Sequence, residues 1–218
     1  MQAKTPAGDA GPRGSLYVVS APSGAGKTSL VRALSEADPA MLVSVSHTTR
    51  PRRESEQEGV HYHFVTRERF EEMIRQDVFL EHARVFDHYY GTSREWVTAR
   101  LVEGTDVVLE IDWQGAQQVK HKVAEAVGIF ILPPSRSALE QRLRERRQDS
   151  DAVVARRMRD AVREMSHWAE FDYVVVNEAF TAALADLRSI VRARRLRTEA
   201  QGARQRALLG ALLSPDAP

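Results

Sequence analysis

The run Leu16-Tyr17-Val18-Val19-Ser20-Ala21-Pro22-Ser23-Gly24-Ala25-Gly26-Lys27-Thr28 decides the fold. Its first residues suit a buried strand, a glycine-bearing turn follows, and an amphipathic stretch begins directly behind the turn. A strand, a turn and a helix start in that order bring backbone N–H groups and the positive end of a helix dipole onto one point, which makes an anion site. The spacing is that of G-x-x-x-x-G-K-[ST], with Ala21 in the place of the first glycine. By that spacing Ala21, Pro22, Ser23, Gly24, Ala25, Gly26, Lys27, Thr28 and Ser29 are expected to form a nucleotide phosphate-binding loop. Lys27 reaches the β- and γ-phosphates and the Thr28 hydroxyl sits on Mg²⁺. Alanine is tolerated at position 21 if its φ is negative.

The rest of the chain bounds what this loop serves. Its 218 residues hold no Pro/Gly/Ser-rich linker in the middle, so one core with insertions is expected. A net charge of +1 with 43% hydrophobic residues argues against a nucleic-acid-coating or disordered protein. The absence of cysteine excludes disulfides and thiolate metal sites. Pro6, Asp9, Pro12 and Arg13 mark residues 1–14 as a flexible leader rather than a signal peptide, and no apolar run reaches membrane-spanning length. A cytoplasmic protein without nucleic-acid or membrane partners is the expectation.

Short apolar runs at Leu16–Ser20, Asp106–Ile111, Gly128–Leu132 and Asp172–Val176 alternate with amphipathic stretches at Ser29–Ala37, Asp112–Ala126 and Thr181–Arg195. That alternation predicts βαβ units and a parallel sheet covered by helices on both faces. Two inserts interrupt it. Residues 44–95 mix alternating polarity, as in His61-Tyr62-His63-Phe64-Val65, with a helix over Arg67–Gln76, and predict a small antiparallel lobe. Residues 135–168 predict a pair of charged helices, the first opened by a capping box from Ser137 to Glu140. The basic tail ends in Ala207–Leu213, whose leucines are expected to pack on the body or on a second copy in a homo-oligomer.

A phosphate loop alone does not choose a reaction, so the acceptor side is read separately. Arg50, Arg52 and Arg53 stand beside Ser46, Thr48 and Thr49, and such forked donors suit a phosphate dianion. Tyr62 and Tyr90 can add hydroxyls to the same group. Glu81 lies within the apolar stretch Phe79-Leu80-Glu81-His82-Ala83, and a buried carboxylate needs a partner. Guanine supplies one, because its N1–H and N2 amino group are adjacent donors, with Ser46 or Thr92 donating to O6; adenine presents an acceptor at N1 instead. Glu110 and Asp112 end a strand predicted to lie beside the loop strand, and one of them can hold Mg²⁺ through water. Arg142 and Arg146 share a helix face and Arg157 comes from the next helix, so a hairpin closing over transferring phosphates is a further expectation.

Taken together, the phosphate loop, Ser46-His47-Thr48-Thr49-Arg50, Glu56 with Gly59 and Tyr62, Phe79-Leu80-Glu81, Tyr89-Tyr90-Gly91-Thr92, Ile111-Asp112 with Gln114-Gly115, Pro133-Pro134-Ser135 and Val176-Asn177 resemble the guanylate kinase family from Leu16 to about Arg197. The resemblance implies a P-loop three-layer α/β fold with a central parallel sheet, a small mixed GMP-binding lobe (44–95) and a helical lid (135–168). The core would comprise 15–43, 96–134 and 169–198, with 199–218 a C-terminal tail. It implies transfer of the γ-phosphoryl group of MgATP to GMP. Ser46, Glu81, Thr92 and Asp112 would meet guanine, with Glu56 closing that side; Arg50, Arg53, Tyr62 and Tyr90 would meet the GMP phosphate. Arg142, Arg146 and Arg157 would act with Lys27 on the ATP phosphates, and Asn177 would lie near adenine. Pro51 comes one place early, Ser55 replaces a glycine, Glu110 stands where aspartate is common, and Arg147 replaces a lid glycine. The alternatives are a catalytically silent phosphopeptide-binding relative and a P-loop kinase acting on a sugar phosphate.

Overall fold

The computed structural model describes residues 13–85, 87–145 and 150–214. Leu16–Ser20 forms strand β1, and all five of its residues are buried. Alternate side chains leave it in opposite directions, so Tyr17 and Val19 enter one apolar cluster while Leu16 and Val18 enter another. Two clusters on one strand require a covered face on each side, which is the three-layer arrangement. β1 lies at the centre of a parallel sheet of order β2–β7–β1–β8–β9, with β2 at Met41–Val43, β7 at Asp106–Glu110, β8 at Val127–Leu132 and β9 at Tyr173–Val176. The register sets Val19 beside Glu110, so the acids that end β7 stand next to the phosphate loop as the sequence predicts.

Helices α1 (Lys27–Glu36) and α7 (Phe180–Arg195) cover the first face with Leu30, Leu34, Leu187 and Val191. On the second face α3 (Arg94–Val102) and α4 (Trp113–Lys122) contribute Val97, Ala116 and Val119. Helix α1 starts two residues earlier than the periodicity suggests, which places Lys27 and Thr28 inside it. Strand β2 and helix α3 escape the sequence reading for physical reasons. β2 is three residues long, and α3 buries a single residue, Val97, so neither carries a period. The chain ends of the sheet are tied by charge: Arg195 pairs with Asp38 at 2.6 Å and with the buried Asp106 at 2.7 Å, and Asp106 also accepts the Ser15 N–H at 2.6 Å.

The first insert holds β3 (His47–Thr48), β4 (His63–Phe64), α2 (Arg67–Arg75), β5 (Phe79–Val85) and β6 (His88–Ser93), in the sheet order β4–β3–β6–β5. The antiparallel expectation is corrected in one place, since β3 and β4 run parallel and the sheet is mixed. The cause is the long return from β3 through the arginine segment, which brings the chain back in the same direction. Its core is Phe70, Met73 and Phe79. The second insert is the helix pair α5 (Arg136–Glu145) and α6 (Asp151–Met165), sealed by Leu139, Leu143, Val154 and Ala161. The capping box moves as well: Ser135, not Ser137, accepts the Ala138 N–H at 3.0 Å, because α5 already begins at Arg136. Helices α8 (Thr198–Arg204) and α9 (Arg206–Leu213) end the described chain. Leu208, Leu209, Leu212 and Leu213 are exposed, so the expected packing on the body does not occur among the described residues.

Candidate active site

The turn after β1 owes its shape to two glycines rather than three. Gly24 and Gly26 have φ of 93° and 91°, in the left-handed region where a side chain is strained, whereas Ala21 is not among the residues of positive φ. The first position therefore has no conformational need for glycine, and Ala21 is accommodated. Gly26 also has no room for a Cβ, which would lie 2.5 Å from the Asn177 Nδ2. That amide donates to the Ala25 carbonyl at 2.7 Å, so Asn177, 5% exposed, buttresses the loop from beneath. Lys27 Nζ donates to the Ile111 carbonyl at 3.0 Å, and the Thr28 hydroxyl donates to the Glu110 carboxylate. The Ser23 N–H donates to Glu164 Oε2 at 3.0 Å. A carboxylate from the last turn of α6 thus meets the turn after β1, near Lys27, and burial pushes its pKa up. Sequence reasoning missed Glu164, since nothing local distinguishes it from the other charges of α6.

One cleft of about 300 Å³ joins Ala21–Gly24 and Gly26–Ser29 to Ser46, Tyr62, Glu81, Tyr90, Glu110, Asp112 and Glu164. Its deepest charge is Glu81, 2% exposed. The buried Thr92 hydroxyl donates to Glu81 Oε1 at 2.6 Å, and burial pushes this carboxyl up to about 7 against that hydrogen bond, with Asp112 adding to the rise. Asp112 caps α4, accepting the Gly115 N–H at 2.8 Å. Tyr62 and Tyr90 meet edge to face with centroids 5.8 Å apart, and the Arg50 guanidinium lies 5.4 Å above the Tyr62 ring. Glu56 is turned toward the arginine segment. It bonds Arg50 at 2.6 Å and accepts the Arg53 N–H at 2.9 Å, and the Arg50 guanidinium holds its pKa down. Arg53 itself is exposed. The turn after β1, the acidic end of β7, the Tyr62 and Tyr90 wall and the buried carboxylate thus share one cleft, with Arg50 placed over the Tyr62 ring.

A family model described as guanylate kinase matches residues 13–194. The guanylate kinase of Methylococcus capsulatus is 57% identical over 92% of this chain and 98% of its own. The Escherichia coli guanylate kinase is 56% identical over 93% of this chain and 99% of its own. The crystal structure of guanylate kinase from Anaplasma phagocytophilum superposes with a TM-score of 0.72 at 33% identity, covering 88% of this chain and 96% of that one.

The chain belongs to the guanylate kinase family.

In this guanylate kinase family member the arginines of the α5–α6 helix pair have particular settings. Arg142 donates Nη2 to the Asn177 carbonyl at 3.1 Å, while its buried Nη1 has no hydrogen-bond partner among the described residues. Arg157 is half-buried on α6, and Arg146 lies outside the described residues. Asn177 therefore ties the loop to Arg142. No cluster of three His, Asp or Glu able to hold a metal exists among the described residues. Mg²⁺ takes one or two protein oxygens and completes its shell with phosphates and water, and the adjacent oxygens of Thr28 and Glu110 are of the type that could hold it. No helix among the described residues is long and apolar enough to cross a membrane.

Proposed function

We infer that this protein transfers the γ-phosphoryl group of ATP to the phosphate of GMP, releasing ADP and GDP. The observation that carries the reading is Glu81, a carboxylate 2% exposed at the wall of a cleft whose other end is the phosphate loop. A base with two adjacent donors satisfies it; a base with an acceptor there leaves it unpaired, and such mismatches are worth about 10⁴ to 10⁵ in selectivity. Because Thr92 already donates its proton to Glu81, the Ser46 hydroxyl is the available donor for guanine O6.

The acceptor phosphate is itself the nucleophile, so no side chain forms a covalent intermediate and catalysis rests on positioning and charge. The loop N–H groups and Lys27 hold the donor phosphates. Arg50, Arg53, Tyr62 and Tyr90 hold the acceptor phosphate, with Glu56 orienting Arg50. Arg142 and Arg157 bring positive charge from the lid. Thr28 and Glu110 would hold Mg²⁺, which supplies neutralisation of phosphate charge when bound. A coupled ADP-release assay with GMP, AMP and a sugar phosphate as acceptors tests the reading: GMP alone should be turned over efficiently. Equal rates with AMP, or turnover only with the sugar phosphate, would overturn it.

A further inference from the structure

Gly115 stands inside a helix although glycine is the poorest helix former after proline. Its reason is steric: a Cβ at this position would lie 2.5 Å from Glu81 Oε2 and 3.2 Å from Glu81 Cδ. The rest of the same helix face continues the grip. Gln118 accepts the His82 N–H at 3.2 Å and donates to the His82 carbonyl at 2.7 Å, and Lys122 donates to the Leu80 carbonyl at 2.6 Å. Positions 115, 118 and 122 are three and four apart, so they form one stripe on α4. That stripe holds β5 by the backbone on both sides of Glu81 and, at Gly115, leaves room for the carboxylate.

The lobe sheet explains why β5 needs this support. β5 is an edge strand, and its pairing with β6 shifts register between Phe79 and Glu81. A register shift frees local backbone and lets a side chain re-aim. The Gln118 amide supplies a donor and an acceptor to His82 as a neighbouring strand would, while Leu80 is buried in the core cluster with Ala116 and Val119. The Gly115 N–H also donates to Asp112 Oδ1, so one helix turn sets where both carboxylates stand. We propose that Gly115 and Gln118 are positioning residues for guanine selection: Gly115 admits the Glu81 carboxylate and Gln118 fixes the backbone that carries it. This rests on the reading of Glu81 as the group that meets the guanine donors.

The test compares wild type, Glu81→Gln, Gly115→Ala, Gln118→Met and Gln118→Glu, and the double variant Glu81→Gln/Gln118→Met. Steady-state kcat and KM are measured for GMP, for inosine 5′-monophosphate (which lacks the 2-amino donor) and for ATP, with thermal unfolding as the check on folding. Gly115→Ala and Gln118→Met should each lower the GMP-over-inosine-monophosphate ratio of kcat/KM about tenfold while KM for ATP stays within about twofold. Gln118→Glu keeps the acceptor for the His82 N–H and should fall between Gln118→Met and wild type. In the Glu81→Gln background Gln118→Met should add less than about twofold, since both act through one group. If Glu81→Gln collapses the ratio but Gln118→Met and Gly115→Ala leave it at the wild-type value, the positioning roles are refuted and the reading of Glu81 stands. If Glu81→Gln leaves the ratio intact, the reading of Glu81 fails and the proposal falls with it. Should Gly115→Ala fail to fold, the two Gln118 variants decide alone.

Discussion

Burial of Glu81 makes GMP binding depend on pH in a direction that can be worked out beforehand. In the free protein this carboxyl is pushed up to about 7, chiefly by burial, so roughly a tenth of the molecules carry its charge at pH 6 and most carry it at pH 8. Guanine offers two donors at that point and needs the ionised form. The apparent dissociation constant equals the intrinsic one divided by the ionised fraction, so GMP should bind about tenfold more weakly at pH 6 than at pH 8. Binding should also expel about half a proton per GMP at pH 7, because the bound carboxylate no longer holds it. The phosphate of GMP titrates near pH 6 as well, so the comparison is with Glu81→Gln, which keeps the phosphate chemistry and removes the carboxyl.

Isothermal titration calorimetry in two buffers of different ionisation enthalpy measures both quantities. The wild type should show the tenfold dependence and the extra half proton; Glu81→Gln should show neither and should bind GMP about 10²-fold more weakly, with one guanine donor left facing an amide N–H₂. The free fold gives a second readout with a fixed sign. A carboxyl whose folded pKa exceeds its unfolded value favours the folded state most below the unfolded pKa. Wild-type stability should therefore fall by about 3 kcal/mol as pH rises from roughly 4.5 through 7, and Glu81→Gln should lack that fall. Identical proton release by the two proteins would refute the reasoning, because Glu81 would then keep its proton state on binding.

Other consequences are simpler. Lys27→Ala should cut kcat/KM for GMP by about 10³ or more while shifting Tm by only a few degrees, since its ammonium serves the phosphate site at the start of α1. Asn177→Ala removes the donor to the buried Ala25 carbonyl beside Gly26. A loss of about 1–3 kcal/mol in urea unfolding is expected, with KM for ATP raised more than KM for GMP. Arg195→Met strands the charge of Asp106, 2% exposed, and should cost about 3–5 kcal/mol by the same measurement; adding Asp106→Asn should restore part of it.

The parts of this molecule legible in its sequence are those whose residue types a ligand dictates. The phosphate loop could be read because strand, turn and helix lie within thirteen consecutive residues and because lysine and a hydroxyl meet phosphate and metal nowhere else so regularly. Glu81 stood out because a carboxylate in an apolar run demands a partner. Glu56 shows where spacing stops being enough: its distance from the arginines along the chain was informative, but only the folded loop shows it turned toward Arg50 and the Arg53 N–H.

Glu164 and Gln118 were silent for a different reason, and Gly115 stood in a quoted motif without its role being visible. Each meets protein rather than ligand, across 141 positions for Glu164 and Ser23 and 36 for Gln118 and His82. What Glu164 and Gln118 hold is backbone N–H or C=O, which every residue except proline offers in full. A group that grips backbone leaves no complementary residue type elsewhere in the chain to betray it, and a glycine that merely makes room leaves even less. On the reading of Glu81 proposed above, selectivity for a base has a visible half, the carboxylate that would touch it, and a hidden half, the helix face that aims the carboxylate. On that reading, changing Gln118 should alter discrimination although no motif quoted from the sequence names it.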